Sequence, residues 1–162
     1  MVPPEDAERL TGRRSPEIGL AAAGILTSAM ALYHFWLPHA FHWGDVLTKV
    51  PMVRWGLFII NASFSLLLLA GGLMSIAIAW RPTLRHGAGR WVILAMAGYW
   101  LFNAAYQVLN PMPMPSRLAG LKWAFLGFGL SVAVLYLGAL VGRRPPAIAA
   151  VGQGPRSPHR NP

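Results

Sequence analysis

The sequence predicts an all-α integral membrane protein: a four-helix bundle in up-down-up-down order with both termini cytoplasmic. Three observations carry that expectation: four long apolar runs, a charged fraction of only 12% beside 55% hydrophobic residues, and an uneven placement of Lys and Arg along the chain. Soluble domains carry roughly 25% charged residues. A helix needs about 20 mostly apolar residues to cross a hydrocarbon layer about 30 Å thick. In hydrocarbon every backbone N–H and C=O has to be paired within the protein, so apolar runs without a two-residue alternation read as helices.

Residues 1–16 read as a cytoplasmic tail and 17–37 as the first transmembrane helix. Ser15 is placed as an N-cap, Pro16 as the first helical residue and Glu17 as a charge that suits the positive helix terminus, with Pro38 as the stop. The run is longer than a signal-peptide core, and bulky Tyr33-His34-Phe35-Trp36 stands where a cleavage site needs small residues, so the helix is expected to stay in the mature protein. Residues 38–51 follow as an outer loop, 52–80 as the second transmembrane helix and 81–90 as a cytoplasmic loop. Residues 91–109 form the third helix, 110–117 a second outer loop and 118–142 the fourth helix. The Pro-, Gly- and Arg-rich segment 143–162 reads as a disordered cytoplasmic tail.

Orientation comes from the basic residues, which resist translocation. Arg9, Arg13, Arg14, Arg81, Arg85, Arg90, Arg143, Arg144, Arg156 and Arg160 fall on one side, against Lys49, Arg54, Arg117 and Lys122 on the other. The net charge of +9 is therefore a topology signal, and no basic patch in a soluble region points to nucleic acid. Trp36, Trp43, Trp55 and Trp123 mark one membrane face and Trp80 and Trp91 the other, as expected of rings that favour the headgroup zone. Trp100 alone falls in mid-span. The bacterial inner membrane is the expected location.

Small residues mark places where helices approach closely in lipid. Gly120, Ala124, Gly127, Ser131 and Gly138 share one face of the fourth helix, Gly71-Gly72 lie in the second, and Gly24 and Ala31 in the first. The stripe on the fourth helix is expected to be an interface.

The polar residues inside the spans carry the functional expectation. Asn103, Tyr106 and Gln107 share a face of the third helix with Tyr99 and Asn110, Arg54, Asn61 and Ser65 share one on the second, and Thr27 and His34 are seven apart on the first. With the predicted topology, His34, Arg54, Asn61, Asn103, Tyr106 and Gln107 would surround an outward-opening polar cavity, with Lys122 at its rim. Buried polar groups in a membrane are costly and therefore functional candidates. The competing reading is that Asn and Gln fasten one helix to another.

A metal site is a second candidate. His39 and His42 are three apart in the outer loop, Asp45 is three further on, and imidazoles with a carboxylate suit Zn(II), Cu(II) or Fe(II). Met112 and Met114 would add soft ligands, although alternating prolines in 110–115 read first as a stiff link. The interfacial reading of these histidines stands beside the metal one. The absence of cysteine excludes disulfides, thiolate metal sites and a Cys nucleophile. Apart from Glu17 at the very start of the first helix no acid lies within a span, which argues against proton-coupled transport through carboxylates.

Four helices with short loops, together with the run Leu66-Leu67-Leu68-Leu69-Ala70-Gly71-Gly72-Leu73, resemble the DoxX-type small membrane proteins. Some of these are linked to quinone or redox systems, so the resemblance implies a four-helix fold and a quinone among the ligands to consider. It transfers no site residue. The expected function is binding of a small molecule, lipid or quinone in the outward cavity, or docking of a membrane partner or a second copy. The alternatives are metal handling through the outer-loop histidines and a structural or assembly subunit without ligand.

Overall fold

The computed structural model describes residues 4–85, 87–111 and 116–141, with side chains from residue 16 onward except at 82 and 85. Every regular element among them is helical. Helix α1 spans Pro4–Ala40, a short α2 Trp43–Val46, α3 Pro51–Trp80, α4 Ala88–Leu109 and α5 Ala119–Val141. Single 3₁₀ turns, Pro82–Arg85 and Ser116–Leu118, precede α4 and α5. Four stretches are long and apolar enough to cross a membrane: Pro16–Ala40, Pro51–Trp80, Ala88–Leu109 and Ser116–Val141. The tail 143–162 lies outside the described residues, as do Met112 and Met114.

The first helix departs from its expected ends. It begins before Ser15, so Pro16 is internal, and it continues through Pro38 to Ala40. A proline inside a helix removes one N–H and frees the carbonyl four residues back. Membrane helices tolerate this when a neighbouring helix satisfies that carbonyl. For Pro38 the freed group is the carbonyl of His34, and the neighbour supplies a donor to it, as described below. The chain then turns at His42, whose φ of 48° and ψ of 43° are left-handed, and α2 follows at once.

Helix α1 packs most extensively on α3 and also on α5, α4 packs mainly on α5, and the α3–α4 contact is sparse. Pairings of His34 with Asn61 and of Gly24 with Gly72 show α1 and α3 running in opposite directions. The crossing is close because both partners are glycine. A Cβ built on Gly24 would lie 2.7 Å from the Gly72 carbonyl oxygen, and one on Gly72 would lie 2.8 Å from the Gly24 carbonyl oxygen. Ala31 is fully buried.

The stripe on α5 behaves differently. Gly120, Ala124, Gly127, Ser131 and Gly138 are all exposed, and a Cβ on any of the three glycines would meet no atom within 4 Å. Among the described residues, therefore, nothing packs on the stripe in the expected way. The face of α5 that packs inward carries Gly129, Val132, Ala133, Tyr136 and Ala139.

The exterior is apolar and the interior small. Leu32, Leu66, Leu67, Phe102 and Val134 are exposed, while Ala23, Ala79, Ala97, Ala133 and Ala139 are buried. Lipid tails are as apolar as leucine, so large side chains gain little by turning inward and small ones let helices approach. Trp36, Trp55, Trp80, Trp91 and Trp123 are exposed near helix ends, whereas Trp100 is 2% exposed.

Candidate functional site

The His34–Asn61 contact follows from the proline. Asn61 Nδ2 on α3 donates to the His34 backbone oxygen at 2.8 Å, replacing the intrahelical donor that Pro38 lacks. Asn61 Oδ1 lies 3.4 Å from His34 Nδ1, so one carboxamide engages both the backbone and the ring of residue 34. Ser65 Oγ donates to the Asn61 backbone oxygen at 2.6 Å. Replacing Asn61 by leucine should therefore destabilise the bundle by about 1–2 kcal/mol, measured by unfolding in detergent.

A second polar assembly lies in the centre of the bundle. Trp100 Nε1 donates to Thr27 Oγ1 at 3.0 Å, Tyr136 Oη donates to Ser75 Oγ at 3.1 Å, and Ser75 Oγ donates to the Gly71 carbonyl at 2.7 Å. Thr27 Oγ1 and Tyr136 Oη are 3.1 Å apart. Because the only hydroxyl proton of Tyr136 goes to Ser75, Thr27 must donate to Tyr136. The result is a one-way chain from an indole N–H on α4 through hydroxyls on α1, α5 and α3 to a carbonyl. Thr27, Ser75 and Tyr136 are fully buried, and among the described residues no buried side-chain polar atom lacks a partner. The chain starts at a donor that does not ionise and ends at a carbonyl, so its chemistry is that of a clasp. Thr27 and the mid-span position of Trp100 stand out in the sequence, whereas Ser75 and Tyr136 do not. A mid-span indole N–H requires an acceptor, and that requirement was the available signal.

Between these two assemblies runs a row of rings. His34 and Phe64 have centroids 5.7 Å apart, Phe64 and Tyr99 5.5 Å, Tyr99 and Trp100 5.2 Å, and Trp100 and Phe128 5.4 Å. Phe64 thus stands between His34 and the polar face of α4. Among the described residues no hydrogen bond joins the His34–Asn61 pair to that face. The six candidates fall into separate groups. Gln107 Nε2 donates to Asn103 Oδ1 at 3.4 Å. Tyr106 is exposed and accepts from Asn110 Nδ2 at 2.7 Å. Arg54 is exposed and reaches the Gly44 carbonyl at 3.4 Å.

A concave site does occur at the loop ends of α4 and α5. An open cleft of about 150 Å³ is lined by Gln107, Val108 and Pro111 from one side and Lys122, Trp123 and Leu126 from the other. The Lys122 ammonium lies 5.3 Å from the centroid of the Trp123 ring. Only Gln107 of the six predicted residues lines this cleft; Lys122, expected at the rim, is part of its wall.

The outer-loop histidines are separated by the chain reversal. His39 lies in the last turn of α1 while His42 is the left-handed turn residue, so the i, i+3 relation does not place them on one helix. His42 Nδ1 and Asp45 Oδ2 are 4.0 Å apart, with both side chains exposed. Among the described residues no group of three or more His, Asp or Glu side chains is placed to hold a metal ion.

Comparison of the chain with known protein families, with curated proteins and with solved structures found no match. The DoxX-type resemblance gains no support from them.

Proposed function

We propose that the chain is a small polytopic protein of the bacterial inner membrane, ordered up-down-up-down with both termini cytoplasmic, that binds an amphiphile such as a lipid or quinone in the cleft between α4 and α5. The opposed pairing of α1 with α3 and the ten basic residues allotted to one side support the topology. One observation carries the binding reading: the cleft is lined by Gln107, Lys122 and Trp123, which bear polar groups, together with the apolar Val108 and Leu126. Such a mix suits a molecule with a polar head and a hydrocarbon body. The His34–Asn61 pair and the central clasp support a bracing role for the remaining intramembrane polar groups.

Native mass spectrometry of the detergent-purified protein with added phosphatidylethanolamine or decylubiquinone tests this reading. Leu126→Trp, which fills the cleft, should lower retention of at least one probe by about tenfold, a change equivalent to roughly 1.4 kcal/mol. Asn61→Leu should leave retention unchanged. Equal retention of both probes by wild type and Leu126→Trp would contradict the assignment.

A further inference from the structure

Lys122 lies in the first turn of α5, half-buried in the cleft wall, and among the described residues its ammonium has no carboxylate partner. It sits over the face of Trp123. Acids are scarce throughout: Glu5, Asp6, Glu8 and Glu17 lie at the far end of the sequence and Asp45 follows the turn after α1. A cation in a cleft wall with no carboxylate partner among the described residues is open to an external anion. Gln107 stands on the opposite wall. One of its amide hydrogens goes to Asn103, which leaves a second hydrogen with no protein partner among the described residues. The same walls also carry Val108 and Leu126, so an anionic head at Lys122 would have apolar surface beside it for a hydrocarbon body.

We infer that the cleft selects a phosphate-bearing anion, with Lys122 as its charge partner and Gln107 as a neutral donor. This rests on the amphiphile reading of the same cleft and adds the chemistry of the head. The phosphate can belong to an anionic lipid or be free in solution, and the two are separable.

The test compares native mass spectra of the protein with dioleoylphosphatidylglycerol, with dioleoylphosphatidylcholine, and with inorganic phosphate added as competitor. Lys122→Gln should lower phosphatidylglycerol retention about fivefold, the effect of one basic residue near a charged headgroup, and leave phosphatidylcholine unchanged. Lys122→Arg should preserve retention, which separates charge from folding, and the exposed Lys49→Gln should have no effect. Displacement of phosphatidylglycerol by millimolar phosphate supports recognition of the free anion; resistance to it supports recognition of the lipid. Equal loss in Lys122→Gln and Lys49→Gln, or equal retention of the two lipids by wild type, overturns the inference. If Leu126→Trp weakens both lipids alike while Lys122→Gln weakens neither, the cleft reading stands and the anion reading falls. If Leu126→Trp changes neither lipid, the cleft reading itself fails.

Discussion

Gly72→Leu should separate α1 from α3 and destabilise the bundle by about 3 kcal/mol, the upper part of the range for overpacking a tight contact. A Cβ at residue 72 already meets backbone, with the Gly24 carbonyl oxygen at 2.8 Å and the Ser28 nitrogen at 2.9 Å. Backbone cannot rotate aside as a flexible side chain can, so the two helices must move apart. Their separation would also draw Asn61 from the His34 carbonyl, since both contacts belong to one interface. Gly127→Leu is the matched control: its Cβ meets nothing within 4 Å, and its effect on the folded chain should stay within about 0.5 kcal/mol. Reversible unfolding of the two variants in mixed detergent measures the difference.

Thr27→Val should be the next most damaging change, at about 2 kcal/mol. Its hydroxyl is both the acceptor for Trp100 and the donor to Tyr136, so valine leaves a buried indole N–H without its partner. Tyr136→Phe should cost less. It removes its own hydroxyl, Ser75 still donates to the Gly71 carbonyl, and the Trp100–Thr27 bond survives. The order of the two losses is more diagnostic than either size, because bonds between membrane helices average only about 0.6 kcal/mol. Trp100 fluorescence should report the lost indole bond in Thr27→Val and change less in Tyr136→Phe.

The spans were legible because apolar length has one physical meaning in a bilayer, and the structure places four suitable helices where the runs predict them. Helix ends were less legible at proline. Pro38 reads as a stop unless a donor on another helix is known, and Asn61 is 23 positions away in sequence. Small residues marked Gly24 and Gly72 on separate helices, which the structure brings together, and also marked the exposed face of α5. The pattern says that a face can be approached and leaves open what approaches it. Convergence of the six polar residues rested on their sharing one end of the bundle. Phe64 fills the space between His34 and Tyr99, and periodicity within single helices carries no information on what fills the middle. The clasp was half visible, since a mid-span tryptophan announces a need for an acceptor without naming it.

The central claim is that polar groups within the bundle brace it, leaving ligand chemistry to the α4–α5 cleft. A double-mutant cycle on Asn61→Leu and Pro38→Ala tests the brace most directly. Alanine at 38 restores an N–H that can bond the His34 carbonyl within α1, which makes the Asn61 amide redundant there. Asn61→Leu should then cost about 1 kcal/mol less beside Pro38→Ala than beside the native proline. Equal costs in both backgrounds would show that Asn61 does not stand in for the missing bond, and would contradict the account.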